Sequence, residues 1–202
     1  MSEDARTGGI AAVVLAAGAS RRLGKHKQLI EIASESLLRR SARMAVESGC
    51  SPVCVVLGFE AERMRGELEG LGVEAVVNAE WVEGMGSSLR SGVEAIRVFV
   101  PEGILVMVCD QPRLTVEHLR TLLAAHEEAG AGVRITASRY AGRAGVPAVF
   151  GAAVFGELAA VRGDKGAREV IVRNSDRMQT VEWPDGEFDV DEPEHVKGLV
   201  GE

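Results

Sequence analysis

After a polar opening over residues 1–9, short apolar runs alternate with amphipathic stretches along the chain. Residues 10–15, 53–57, 73–77 and 104–108 are apolar at nearly every position, the pattern of strands covered on both faces. Between them, residues 37–48, 61–68 and 87–98 carry apolar side chains at helical spacing, and Gly49, Gly70 and Gly72 mark their ends. Residues 115–128 predict a further helix, with Thr115 as its N-cap and Gly130 just past its end. The second half is less regular: strands are predicted at 133–138, 146–150 and 178–182, with helices near 152–161 and 167–173. A short helix at 194–199, after Pro193, is expected to close the chain. Strand–helix–strand alternation predicts an α/β fold around a mainly parallel sheet with right-handed crossovers. No repeat, low-complexity segment or linker interrupts the pattern. One domain is therefore expected over residues 10–202, behind a disordered start at 1–9.

Composition narrows this picture. The 202 residues are 46% hydrophobic but only 4% aromatic, so small aliphatic side chains must do most of the packing. A net charge of −7 and a pI near 5.3 exclude a broad basic face, hence a protein that coats nucleic acid. Cys50, Cys54 and Cys109 lack metal-ligand spacing and read as buried thiols in a reducing cytoplasm. The four histidines are scattered, so neither a zinc site nor a histidine-based triad stands out. The acidic start lacks a signal-peptide charge pattern, and the longest apolar stretch, 10–17, is too short to span a bilayer. A soluble cytoplasmic protein is expected.

Against that acidic background, no carboxylate occurs from Ala5 to Ile30, and LAAGASRRLGKHKQ from Leu15 to Gln28 carries four cations. A cationic loop directly behind a strand is where α/β proteins hold phosphates. The loop matches neither a P-loop nor a dinucleotide fingerprint. It offers Gly18 for close backbone approach, Ser20 as a hydroxyl donor, and Arg21, Arg22, Lys25 and Lys27 as cations; a solvated basic turn is the plainer reading. Asp110, in DQP at the end of the fourth strand, is placed where open sheets bind ligands. It suits Mg²⁺, which takes one or two carboxylates plus phosphate oxygens and water; it equally suits a turn before Pro112. In a third segment, Gly84 and Gly86 free backbone N–H groups and Ser87 and Ser88 add hydroxyls, either for an anion or for helix capping. Trp81 nearby reads as a packing residue. Asp164 reads as the cap of the following helix, and Asp189 and Asp191 supply either a metal contact or the approach to the last helix.

Taken together, these segments resemble the nucleotidyltransferases of molybdenum-cofactor biosynthesis, and most closely their cytidylyltransferase branch. The matching elements, from Leu15 to Asp191, are LAAGASRRLG-xx-KQ, N-xx-W-x-EGMGSSL, DQP, GVP-xx-F, GD-x-GAR and D-x-D-x-P. The resemblance implies a three-layer Rossmann-like fold with the active site along the carboxyl ends of the strands. It implies that Leu15, Ala16, Ala17 and Gly18 hold the base and sugar of a nucleotide, with Ser20 beside them. Arg21 and Lys27 would bind its triphosphate, and Asp110 would hold Mg²⁺. Asn78, Gly84, Gly86, Ser87 and Ser88 would also touch the nucleotide. Gly145, Pro147, Asp164 and Asp189 would face the acceptor, with Asp191 as a second metal ligand. Guanylyl-transferring relatives carry L-A-G-G where this chain has Leu15-Ala16-Ala17-Gly18, and the methyl of Ala17 favours cytosine.

The activity so implied is Mg²⁺-dependent transfer of CMP from CTP to molybdopterin. Transfer of GMP from GTP, transfer to another phosphorylated metabolite, and a delivery module serving a molybdenum hydroxylase stand as alternatives. Neither nucleic acid nor membrane is an expected partner. Two departures are visible: Ala33-Ser34-Glu35-Ser36 replaces the relatives' glycine turn, leaving the local hairpin an open point, and Val146 precedes Pro147 where some relatives have histidine.

Overall fold

The computed structural model describes residues 9–20, 23–24, 26–130 and 132–190. The closing helix expected at 194–199, and all but Gly9 of the expected disordered start, lie outside them. The chain opens with β1 (Ile10–Leu15), then a hairpin of β2 (Glu31–Ile32) and β3 (Glu35–Ser36). It continues through α1 (Leu37–Glu47), β4 (Val53–Leu57), α2 (Ala61–Arg65), β5 (Glu74–Val77), α3 (Met85–Arg97) and β6 (Gly103–Val108). The second half adds α4 (Val116–Glu127), β7 (Ile135–Tyr140), β8 (Arg143–Gly151), α5 (Phe155–Ala160), α6 (Arg168–Arg173) and β9 (Met178–Glu182).

Among the described residues, seven strands form one sheet in the order β5-β4-β1-β6-β8-β7-β9. Pairing is parallel from β5 through β4 and β1 to β6, and again between β7 and β9. β8 runs antiparallel to both of its neighbours. The mainly parallel α/β sheet is therefore as expected. Side chains alternate across it, as a period of two requires. Ala12, Val14, Val55, Leu57, Leu105 and Met107 face a core completed by α1, α2 and α4. Ala11, Val13, Leu15, Val56, Ile104 and Val106 face the opposite core, completed by α3, α5 and α6. Helix, sheet and helix make three layers.

Strand order explains where a site can form. From β1 the chain moves outward on one side to β4 and β5, then returns to place β6 on β1's other flank. The connections leaving β1 and β6 therefore diverge, and a crevice opens between their carboxyl ends. Register sets these ends level, with Leu15 opposite Val108.

Several boundaries depart from the sequence reading. The hairpin does form, with Ala33 (φ 51°) and Ser34 (φ 65°) in the left-handed region that a two-residue turn demands. Residues 61–68 hold a shorter helix followed by the 3-10 turn Gly66–Leu68. α3 starts at Met85 because Gly84 takes φ 119°, a value open to glycine. β8 begins at Arg143 because Ala141 (φ 47°) and Gly142 (φ 73°) close a tight hairpin with β7. Thr115 caps α4 as expected, its hydroxyl accepting from His118 N. Among the described residues no helix is long and apolar enough to cross a membrane.

Candidate active site

A cavity of about 410 Å³ lies over the crevice between β1 and β6. Its floor is the turn leaving β1, from Leu15 to Ala19, together with Val108, Cys109 and Asp110 at the end of β6. This turn is held by a residue that the sequence reading did not single out. Gln28 is 1% exposed and donates from Nε2 to Ala16 O at 3.0 Å and Gly18 O at 2.6 Å. Its Oε1 accepts from Ser20 Oγ at 3.3 Å, and the same hydroxyl oxygen accepts Lys27 N at 3.2 Å. Ser20 thus braces the loop from behind, and its left-handed φ of 50° is part of that turn.

Lys27 enters the cavity from the 3-10 turn Lys27–Leu29, and its Nζ lies 2.5 Å from Asp110 Oδ2. Both side chains are mostly buried, at 19% and 16% exposed. The other carboxylate oxygen, Asp110 Oδ1, is buried without a hydrogen-bond partner. A buried anionic oxygen with no donor is a costly arrangement that a cation relieves. Among the described residues no cluster of three or more His, Cys, Asp or Glu could hold a metal by itself. Asp110 therefore fits a hard cation that takes its remaining ligands from phosphate and water. Cys109 also lines the cavity, but burial pushes its thiol up to about 12, so it stays protonated and inert.

The opposite wall comes from Trp81, Val82, Gly84, Met85 and Ser88 on one segment and Asp164 on another. Trp81 is not only a packing residue: it lines the cavity while meeting Phe59 edge-on, ring centroids 5.4 Å apart. Phe59 in turn stacks on His26, at 5.5 Å. The methyl of Ala17 lies in the seam between Trp81 and Gly58; a Cβ on Gly58 would fall 2.8 Å from it and 2.7 Å from Trp81 Cβ.

Not every expected site residue reaches this cavity. Ser87 caps no helix N–H. Its hydroxyl donates toward Gly84 O at 2.8 Å and Glu80 O at 2.9 Å, while Asn78 Nδ2 donates to Ser87 Oγ at 2.8 Å and Ser88 Oγ at 3.1 Å. Asn78 and Ser87 thus brace the start of α3 from within, and only Ser88 of this trio lines the pocket. Gly84 and Gly86 serve close packing: a Cβ on Gly84 would lie 2.6 Å from Asp164 Oδ1, and one on Gly86 would lie 2.9 Å from Arg162 Cα. Asp164 does not cap α6, whose N-cap is Ala167 without a side-chain bond; it sits against Gly84 instead. Gly145 lies beneath the Tyr140 hydroxyl, which donates to Val146 O at 3.0 Å, and Pro147 O accepts from Ser138 Oγ at 2.7 Å. Asp189 is exposed, and it is joined to the site because Val190 N donates to Asp110 O at 2.9 Å. Arg21 and Asp191 lie outside the described residues, as do Arg22 and Lys25.

Comparison with known proteins fits this geometry. Residues 12–178 match the family described as the MobA-like NTP transferase domain. The chain is 33% identical over 205 residues to nicotine blue oxidoreductase of Paenarthrobacter nicotinovorans, covering 95% of this chain and 96% of that protein. It is 30% identical over 172 residues to the purine catabolism protein PucB of Bacillus subtilis, covering 79% and 78%. Among solved structures, Rv0371c of Mycobacterium tuberculosis H37Rv superposes with a TM-score of 0.80 at 30% identity, covering 96% of this chain and 99% of that one. A complex of the same protein with manganese superposes at 0.75, with 28% identity and coverage of 97% and 100%. The crevice at the strand-order reversal, the match across most of the chain and the shared fold lead to one assignment: this chain belongs to the MobA-like NTP transferase family of nucleotidyltransferases.

Proposed function

We propose that the chain transfers CMP from CTP to the terminal phosphate of molybdopterin and releases pyrophosphate, acting as one nucleotidyltransferase domain over residues 10–202. The observation that carries this reading is the Lys27–Asp110 pair in the crevice, with Asp110 Oδ1 left unpartnered. An oxygen of the acceptor phosphate attacks the α-phosphorus of CTP, the bond from that phosphorus to the bridging oxygen breaks, and the electron pair departs with pyrophosphate. The acceptor oxygen is already anionic, so no strong general base is needed, in keeping with a cavity whose one cysteine is inert. Bound at Asp110, Mg²⁺ would supply charge neutralisation at the phosphate oxygens; that Rv0371c forms a complex with manganese supports the use of a divalent ion.

The chain's own groups align and shield. Gln28 fixes the turn from Ala16 to Gly18 so that its backbone faces the nucleotide. The Lys27 ammonium, with Arg21, stabilises the negative charge that grows on the departing pyrophosphate. Trp81, packed beside Ala17, closes the end of the cavity that this reading assigns to the base. The resemblance between Leu15-Ala16-Ala17-Gly18 and the cytidylyltransferase branch supports CTP over GTP. Asp189, beside Asp110, and the turn of Gly145 and Pro147 are assigned to the acceptor side. Asp191 is assigned to the metal, and a molybdenum hydroxylase to receipt of the product.

The test is a panel of nucleoside triphosphates with and without molybdopterin, reading pyrophosphate. CTP with molybdopterin is expected to lead, and greater release with GTP overturns the base assignment. Asp110→Asn and Lys27→Ala are expected to fold normally and lose about 10²-fold or more in turnover. Near-native turnover in either refutes its role. A second reading comes from the likeness to nicotine blue oxidoreductase: a redox reaction in the same cavity. It predicts oxidation or reduction of a bound substrate with no pyrophosphate released from any triphosphate.

A further inference from the structure

Two loops far apart in sequence make one wall of the cavity. The 3-10 turn Trp81–Glu83 contributes Trp81 and Val82, and the loop of residues 162–166 contributes Asp164. Neither belongs to the sheet, so the strand ladder does not hold them. One guanidinium reaches both. From the second turn of α3, Arg90 Nη2 donates to Glu83 Oε2 at 2.8 Å and to Glu80 Oε2 at 3.2 Å. Its Nη1 donates to Glu83 Oε1 at 3.1 Å and to Val161 O at 3.3 Å. Val161 is the residue from which the 162–166 loop departs. The Arg90 side chain is only 15% exposed although its carboxylate partners are open to water, Glu83 at 37% and Glu80 at 72%, so the guanidinium is held in place by several bonds at once rather than by any single shielded one.

The two loops also touch directly. Gly86 N donates to Gly163 O at 2.8 Å, and a Cβ on Gly84 would lie 2.6 Å from Gly163 O. On the other side of the same contact, a Cβ on Gly166 would lie 2.5 Å from Met85 Sδ. The wall is thus two backbones pressed together with no slack between them, and Arg90 spans the seam. Arg90 also supplies the counter-charge for Glu80 and Glu83 at the rim of a pocket read as holding an anion.

We infer that Arg90 is a positioning residue: it joins the 80–83 turn and the 162–166 loop into one wall and thereby sets the pocket's affinity for a nucleoside triphosphate. The affinity clause rests on the nucleotidyl-transfer reading above; the joining of the loops does not. Arg90 itself lies outside the cavity lining, so its effect is transmitted through Trp81, Val82 and Asp164.

The experiment pairs amide hydrogen exchange on the ligand-free chain with titration of CTP in Mg²⁺, for the unaltered protein, Arg90→Ala and Arg90→Lys. In Arg90→Ala, exchange is expected to accelerate at least tenfold in both segments and not in the central strands. The Kd for CTP is expected to rise about tenfold, and KM to rise with it while kcat stays within about threefold. Lysine keeps the charge but cannot span Glu80, Glu83 and the Val161 carbonyl together, so Arg90→Lys is expected to leave the 162–166 loop loosened and the Kd raised. Acceleration in one segment alone, or in neither, overturns the proposal. So does an unchanged Kd with both segments loosened, or full recovery by lysine. If the unaltered protein binds none of CTP, GTP, ATP and UTP, the nucleotide reading fails, and the exchange data alone decide whether Arg90 joins the loops. Should Arg90→Ala fail to fold, Glu83→Gln weakens the same fork and takes its place.

Discussion

Ala17 and Trp81 line one cavity because residue 58 has no side chain. A Cβ at Gly58 would come within 2.7 Å of both Ala17 O and Trp81 Cβ. The carbonyl belongs to the turn that Gln28 holds and cannot retreat, since Phe59 N also donates to it at 3.1 Å. The strain therefore falls on Trp81, which must swing outward. Gly58→Ala is expected to cost about 1–3 kcal/mol of stability, the usual range for overpacking, and to weaken CTP binding about fivefold or more. Urea unfolding and calorimetric titration check the two effects, and an unchanged CTP affinity would show that Trp81 need not close on Ala17. This residue was silent in the sequence, where Gly58 is one glycine among 24. Asp110 and the Leu15–Gly18 turn were legible because each directly follows an apolar run, so the end of a strand could be counted. That Trp81 and Asp164 share one cavity wall is not legible from local pattern, which reads the first as packing and the second as a helix cap, because their positions depend on loops that meet across some 80 residues of chain and sequence spacing carries no such information. Gln28 left one faint signal, a neutral polar residue beside Lys27 in an otherwise cationic loop.

The same absence of a side chain governs how an element seats. α3 crosses β1 and β4 at Gly92, where a Cβ would overlap Val13 Cγ1 and lie 2.9 Å from Val56 Cγ2. Both valines are fully buried in central strands and are branched at Cβ, so neither can turn aside. In an exposed helix, exchange of glycine for alanine would add up to about 1 kcal/mol. Here overpacking wins: Gly92→Ala is expected to lower stability by about 1–3 kcal/mol. Adding Val13→Ala to that variant should restore part of the loss, although Val13→Ala alone destabilises. Additive losses in the double variant would show that the two positions do not share space. The bounds of β1, β4 and β9 could be read from the sequence, most plainly for β4, whose apolar run ends abruptly at Gly58. Turn-dependent boundaries could not. The Ala33-Ser34 hairpin places two ordinary residues at positive φ, against their local preference, and β8 gained three residues from a turn closed by Ala141 and Gly142. In both places tertiary pairing overrides what the local sequence favours.

Over the whole molecule, the two halves of the sheet are secured by different means. The parallel half, β5 to β6, is an aliphatic core with buried thiols, where burial raises Cys54 to about 12 and Cys50 to about 11. The antiparallel half carries a polar chain through its centre. His118 Nε2 on α4 lies 2.8 Å from Ser138 Oγ on β7, and that hydroxyl donates to Pro147 O on β8 at 2.7 Å. Because the serine has one proton to give and spends it on the carbonyl, Nε2 of His118 must itself carry a hydrogen. The ring also stacks on Trp183, centroids 4.9 Å apart, and burial lowers its pKa from 6.5 to about 4. Between these values the unfolded chain holds a proton that the folded protein does not. The histidine's contribution to stability is therefore fully present above about pH 6.5 and lost as pH falls toward 4. A shift of this size is worth at most ~3 kcal/mol, and partial solvent contact brings it to about 1–2 kcal/mol. His118→Gln forfeits the stacking and is expected to be less stable at pH 7.5. Since glutamine binds no proton, its loss of stability between pH 7.5 and 4.5 should be smaller by about 1 kcal/mol, with the contribution of His126, also lowered by burial, remaining. Denaturant unfolding at the two pH values decides it: an equal acid loss in both proteins would place the acid sensitivity of the fold elsewhere than in the α4–β7–β8 chain.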